Sequence, residues 1–91
     1  MTLFCCITMW AAAQTKVVTG TVTASDDGQP MIGVSVAVQG TSKGAVTDVD
    51  GKYQVSMEPG EDNLMFSYIG YLTQTVAVGN RSEVDVVMNQ D

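Results

Sequence analysis

From Lys16 onward the apolar residues of this chain recur at every second position, not at the 3.6-residue period of a helix. In KVVTGTVTA, Val18, Gly20 and Val22 share one face, while Val17, Thr19, Thr21 and Thr23 share the other. GVSVAVQG sets Val34, Val36 and Val38 against Ser35, Ala37 and Gln39. KYQVSM does the same with Tyr53 and Val55, NLMFSYIG with Leu64, Phe66 and Tyr68, and SEVDVVM with Val84, Val86 and Met88 against Glu83 and Asp85. Such alternation marks strands with one buried face, and the wealth of β-branched residues suits a pleated surface. Turn signals fall between the runs at DDGQP, GTSKG, DVDG, EPGEDN, IG and GNRS, at spacings near ten residues. The pattern predicts about seven short strands in antiparallel order, an all-β sandwich. Predicted core residues include Val18, Val36, Phe66 and Val86.

Composition narrows the function more than the fold. The 91 residues make room for one domain, whose core is marginal but feasible without disulfides. Ten acidic and four basic residues give a net charge of −6, and the bases are not clustered. That disfavours a nucleic-acid partner, which needs grouped Lys and Arg for its phosphates. The absence of His removes the commonest general base and metal ligand together.

The N-terminus departs from the pattern. MTLFCCITMWAAAQ is apolar from Leu3 to Ala13, too short a run to span a bilayer. It ends in Ala11-Ala12-Ala13, the small-residue pattern cut by signal peptidase. Residues 1–13 therefore read as a signal peptide with a missing basic n-region, Gln14 as the mature start, and the protein as exported. Its alternative is an N-terminal core element. Cys5 and Cys6 both lie in this segment, and adjacent cysteines bond poorly, so they say nothing about redox compartment.

Four constellations are candidates for chemistry. Asp48 and Asp50 before Gly51 could bind calcium or share a proton, but an EF-hand frame fails, with Gly51 too early and Pro59 where the closing Glu belongs. A hairpin turn is the simpler reading, because Asp-Gly supplies positive φ. GTSKG, Gly40 to Gly44, lacks the frame of a phosphate loop and reads as a surface loop. Asn80-Arg81-Ser82 matches a glycosylation sequon within a turn. Tyr68 and Tyr71 flank Gly70. They read either as a sugar-binding platform or as a strand corner, in which Tyr68 continues the inward face and its hydroxyl reaches backbone. The corner is the favoured reading. No serine has a histidine partner, so nucleophilic catalysis lacks machinery.

Taken together, four elements resemble the carboxypeptidase-D regulatory-like domain. They are Val18-x-Gly20-x-Val22; Pro30-x-Ile32-Gly33-Val34; Gly40-Thr41 with Gly44 and Thr47-Asp48-x-Asp50-Gly51; and Phe66-Ser67-Tyr68-Ile69-Gly70-Tyr71. More narrowly the chain resembles the copy at the N-terminus of SusC/RagA-like TonB-dependent outer-membrane receptors of Bacteroidetes, across roughly residues 17 to 88. The resemblance implies a seven-stranded transthyretin-like (Ig-like, prealbumin-like) antiparallel β-sandwich over residues 14–88. It implies a non-catalytic domain in the periplasm, with no catalytic, cofactor-binding or metal-ligating residue and no cofactor. It also implies protein partners within an outer-membrane uptake complex, with glycan or peptide substrates handled only by a parent receptor. The 91 residues hold no plug, barrel or TonB box, so a receptor domain or fragment is expected, with a polar linker beginning at 89–91. The alternative is a freestanding secreted sandwich module, carbohydrate-directed.

Overall fold

The computed structural model describes residues 15–91. The expected signal peptide at 1–13 lies outside the described residues. Seven strands follow one another: β1 (Lys16–Ala24), β2 (Ser35–Val38), β3 (Gly44–Val46), β4 (Lys52–Met57), β5 (Asn63–Ser67), β6 (Gln74–Ala77) and β7 (Val86–Met88). They form two sheets, ordered β4-β1-β7 and β3-β2-β5-β6. The fold is the all-β sandwich that the period-two pattern predicts.

One pairing departs from the antiparallel expectation. β1 and β4 run antiparallel, from Lys16 opposite Met57 to Thr21 opposite Lys52. The far half of β1 instead pairs parallel with β7, Val22 opposite Val86 and Ala24 opposite Met88. A parallel partner needs a long crossover. The chain supplies it by passing through the whole second sheet, β2, β3, β5 and β6, and through β4, before returning as β7. The Asp48–Gly51 turn also differs from the hairpin expected there. β3 and β4 lie in different sheets, so the turn is an arch over the end of the sandwich.

The core follows the alternation closely. Val18 and Val22 of β1, Tyr53, Val55 and Met57 of β4, and Val86 and Met88 of β7 face Val36 and Val38 of β2 and Leu64 and Phe66 of β5. Val34, Val78 and Val84, just outside named strands, complete the layer. Phe66 is fully buried, and its ring meets Tyr53 edge to face, with centroids 5.4 Å apart. Gly20 is the one gap in the inward row of β1, and a side chain there is impossible. A Cβ would sit 1.8 Å from the Val84 carbonyl oxygen. That close approach lets the segment entering β7 lie against β1.

Thr47 is the buried polar residue among the described residues. Its hydroxyl donates to the Met31 carbonyl at 2.6 Å and accepts from the Val34 amide at 2.9 Å. Both capacities of the hydroxyl are thus met, and the loop entering β2 is stapled to the strand leaving β3.

Candidate functional site

The sequence singled out two turns for their charges, and in both the side chains serve local structure. The Asp48 carboxylate accepts the backbone amides of Asp50 and Lys52, each at 2.9 Å, and the Gly51 amide donates to the Asp48 carbonyl at 2.8 Å. This is an Asx turn, with Gly51 at φ +75° as its left-handed residue. No group of three or more His, Cys, Asp or Glu side chains gathers among the described residues. In the Gly40–Gly44 loop the Thr41 hydroxyl donates to the Val38 carbonyl and accepts from the Lys43 amide. The Lys43 ammonium pairs with Glu61 at 2.7 Å and holds the Glu61 carboxyl below its ordinary range. Asn80-Arg81-Ser82 is exposed in its turn, where the Arg81 guanidinium donates to the Val78 and Ala77 carbonyls.

The tyrosines depart further from the sequence expectation. Tyr68 does not continue the inward face of Leu64 and Phe66, and its ring is exposed. The strand stops at Ser67, so the alternation ends one residue too soon. From there the chain enters a β-turn in which the Tyr71 amide donates to the Tyr68 carbonyl at 3.1 Å and Gly70 takes φ +88°. A positive φ at the third turn residue is the demand of a type II turn, and glycine meets it without a Cβ clash. The two tyrosines are therefore the first and last residues of one turn, which places them side by side. Their ring centroids are 5.9 Å apart with planes inclined at 58°. On an extended strand the intervening glycine would part the two rings, whereas the turn brings them together.

The anchoring hydroxyl belongs instead to Tyr53. It donates to the Val84 carbonyl at 2.6 Å in the buried interior, tying β4 to the segment that becomes β7. Burial, reinforced by the nearby negative charge of Asp85, pushes its phenol up to about 12. The sequence signal was present, since Tyr53 sits on the inward face and a buried phenol needs an acceptor. Only the fold could say which carbonyl would serve.

Around the tyrosine turn lies the main exposed apolar surface of this end of the sandwich. Ile69 at the turn tip is 93% exposed, and Ile32, on the loop before β2, is also exposed. Asp27, Gln29, Pro30 and Ile32 line a shallow depression with Tyr68 and Tyr71, and Ser35, Ser67 and Gly33 line another under Tyr68 and Ile69. The turn is held from behind by the chain's last residues. The Leu72 amide donates to the Asn89 carbonyl at 2.8 Å, Tyr71 bridges antiparallel to Gln90, and the Asp91 amide donates to the Gly70 carbonyl at 3.0 Å. Residues 89–91, expected to leave as a linker, are drawn along the turn because it offers free backbone donors and acceptors. The turn thus presents apolar side chains beside the polar residues Asp27, Gln29, Ser35 and Ser67, on a backbone tied to residues 89–91.

Comparison with known proteins places this arrangement among relatives. The model of the CarboxypepD_reg-like domain matches residues 18–91. TonB-dependent receptor P3 of Formosa agariphila is 39% identical over 82 residues, which is 90% of this chain and 8% of that receptor. TonB-dependent receptor P39 of the same organism is 45% identical over 74 residues, covering 81% of this chain and 7% of the receptor. TonB-dependent receptor SusC of Bacteroides thetaiotaomicron is 39% identical over 64 residues, 70% of this chain and 6% of the receptor. The chain thus spans less than a tenth of the length of these curated relatives. Among solved structures, a type II cohesin–X-dockerin complex from Acetivibrio cellulolyticus aligns with a TM-score of 0.65 at 22% identity, over 80% of this chain and 56% of that one. At that identity the likeness is one of fold.

Proposed function

The chain belongs to the CarboxypepD_reg-like domain family, and from that membership we propose that it is a non-catalytic N-terminal domain of a TonB-dependent, SusC-like outer-membrane nutrient receptor. In this reading it is exported by the apolar leader at 1–13, lies in the periplasm and acts through contacts with other proteins of the uptake complex. One observation carries the proposal: receptors of this class share most of this chain while the chain matches only a small fraction of each. A segment shared in this way is a module within a larger machine. Its residues fit a contact role. The buried polar groups are committed to backbone, and the exposed constellation is apolar rather than acid–base.

The test is deletion of this domain from an intact receptor that carries it. Growth on that receptor's substrate, or assembly of its complex, is expected to fall. If both are unchanged while the receptor still reaches the outer membrane, the role is wrong. The neighbouring Tyr68 and Tyr71 rings favour a second reading, a secreted carbohydrate-directed module. Titration with neutral oligosaccharides at millimolar concentration, read at the two tyrosines, distinguishes it.

A further inference from the structure

The tyrosine turn combines exposed apolar side chains with an absence of basic ones among the described residues. The chain has four basic residues, and all four side chains are engaged away from the turn. The Lys16 ammonium donates to the Gly79 carbonyl at 2.7 Å, Lys43 pairs with Glu61, Lys52 lies 3.4 Å from the Thr21 hydroxyl, and Arg81 caps the carbonyls after β6. No Lys or Arg lines either depression beside Tyr68. What borders the apolar residues is acidic. Asp27 lines the depression between Ile32 and the tyrosines, its carboxylate accepting the Gln29 amide, with Asp26 next in sequence, and exposed Asp91 is brought beside the turn by its backbone amide, which donates to the Gly70 carbonyl.

We propose that this surface, made of Ile32, Tyr68, Ile69 and Tyr71 and bordered by Asp27 and Asp91, docks a segment of another protein that carries cationic side chains beside aliphatic ones. The inference rests on the reading of the domain as a protein-contact module and names the surface and the partner's chemistry. An isoleucine as exposed as Ile69, standing at the tip of a turn strapped by two backbone hydrogen bonds, is a preformed apolar anchor. Docking it costs little ordering of the chain that bears it. The acidic border steers a cationic partner in and repels an anionic one. The same border disfavours a second copy of this chain, since a two-fold contact would set Asp27 and Asp91 against their own equivalents or near them. A sugar is the poorer fit as well. The rings are inclined to each other rather than spread as one flat face, and a sugar's hydroxyls gain nothing from Ile32 and Ile69.

The test uses the isotope-labelled chain and three synthetic peptides of equal length that alternate Leu with Lys, Leu with Glu and Ser with Lys. Amide resonances are followed at millimolar peptide. The Leu/Lys peptide is expected to shift residues 27–33 and 67–72, with binding that weakens severalfold in high salt. Ile69→Ser is expected to weaken it about tenfold while leaving the remaining spectrum in place, because the side chain packs on nothing inside. Any of several results overturns the proposal. These are no shift with Leu/Lys, shifts centred on Glu58–Asp62 instead, equal binding of the Leu/Glu or Ser/Lys peptide, an unchanged Ile69→Ser affinity, self-association through the turn, or oligosaccharide shifts confined to Tyr68 and Tyr71. Its failure is separable from that of the receptor reading. Localised peptide binding with an unaffected domain-deleted receptor removes the receptor role and keeps the surface; the converse removes the surface alone.

Discussion

Tyr53 and Tyr68 occupy equivalent places in the sequence pattern and opposite places in the molecule. Each follows a polar residue, and each stands in step with apolar neighbours two positions away, Val55 for one and Phe66 for the other. Tyr53 lies inside a strand paired with β1, so its ring is carried into the core and its hydroxyl must find a partner there, the Val84 carbonyl. Tyr68 lies one residue beyond the end of β5, where the backbone has already begun to turn. Its ring faces water beside Tyr71. The difference teaches that alternation predicts burial only as far as the ladder that enforces it. One residue past the last cross-strand pair, Ser35 opposite Ser67, the rule lapses. The region that holds Tyr53 spends its aromatic on cohesion, while the turn that holds Tyr68 leaves apolar side chains exposed.

The strongest way to break the comparison is to remove a large apolar side chain from each region. Phe66→Ala deletes a fully buried ring that packs against Tyr53. It should cost about 3–5 kcal/mol, through lost transfer energy and the cavity left behind. A single domain of this length has little more than that to lose. Urea denaturation should show the midpoint collapsing or no folded baseline at all. Ile69→Ala, two residues beyond the strand, should stay within about 0.5 kcal/mol of the parent. Comparable losses at the two sites would erase the distinction between core and contact surface.

Titration sharpens it next. The phenol of Tyr53 is raised from 10.0 to about 12, first by burial and then by Asp85. The neutral form is therefore the one the fold prefers. Its contribution is whole below the unfolded value near 10 and is lost as pH rises toward 12, at about 1.4 kcal/mol per unit. Alkaline unfolding should begin in that window. Tyr53→Phe should shift it, and should cost about 1–3 kcal/mol at neutral pH by leaving the Val84 carbonyl without its donor. Glu61 works in the opposite sense. Lys43 lowers it, so its pairing helps above its ordinary value of 4.5 and fades as pH falls through the lowered one. A Tyr53→Phe protein with the parent's stability and alkaline midpoint would mean that the hydroxyl anchors nothing.

Much of this was legible beforehand because a half-buried sheet writes its period into the sequence. Val18, Val36, Phe66 and Val86 are all in the core as the alternation places them. The Asp48–Gly51 turn and the Gly40–Gly44 loop fall where Gly and Asp mark them. The rest depended on long-range placement. Nothing local says that β7 lies parallel to β1, because its partner is more than sixty residues away and the Gly20 gap that admits it looks like any strand glycine. The proximity of Tyr68 and Tyr71 depends on Gly70 being the third residue of a turn, where its spacing alone reads equally as a break in a strand. The pairing of 89–91 with that turn was hidden for a related reason. Asn89-Gln90-Asp91 is polar, and polarity says nothing about where its backbone hydrogen bonds go.

The smallest expected effect makes the finest distinction. A tyrosine corner at Tyr68 would make its hydroxyl worth about 0.5–1.5 kcal/mol, the net value of one hydrogen bond. The structure gives that hydrogen bond to Tyr53 and leaves Tyr68 with its ring over Gly33 and beside Tyr71. Tyr68→Phe keeps the ring, its packing and the turn, and should change stability by less than about 0.5 kcal/mol, as exposed substitutions do. It should also leave docking on the turn nearly intact, because the apolar face of the ring remains. The pair Tyr53→Phe and Tyr68→Phe, unfolded side by side in urea at neutral pH, isolates the hydroxyl alone at two sites of identical chemistry. If Tyr68→Phe proved the costlier, the corner would be restored to the turn, and the case for a surface left free for a partner would lose its structural basis.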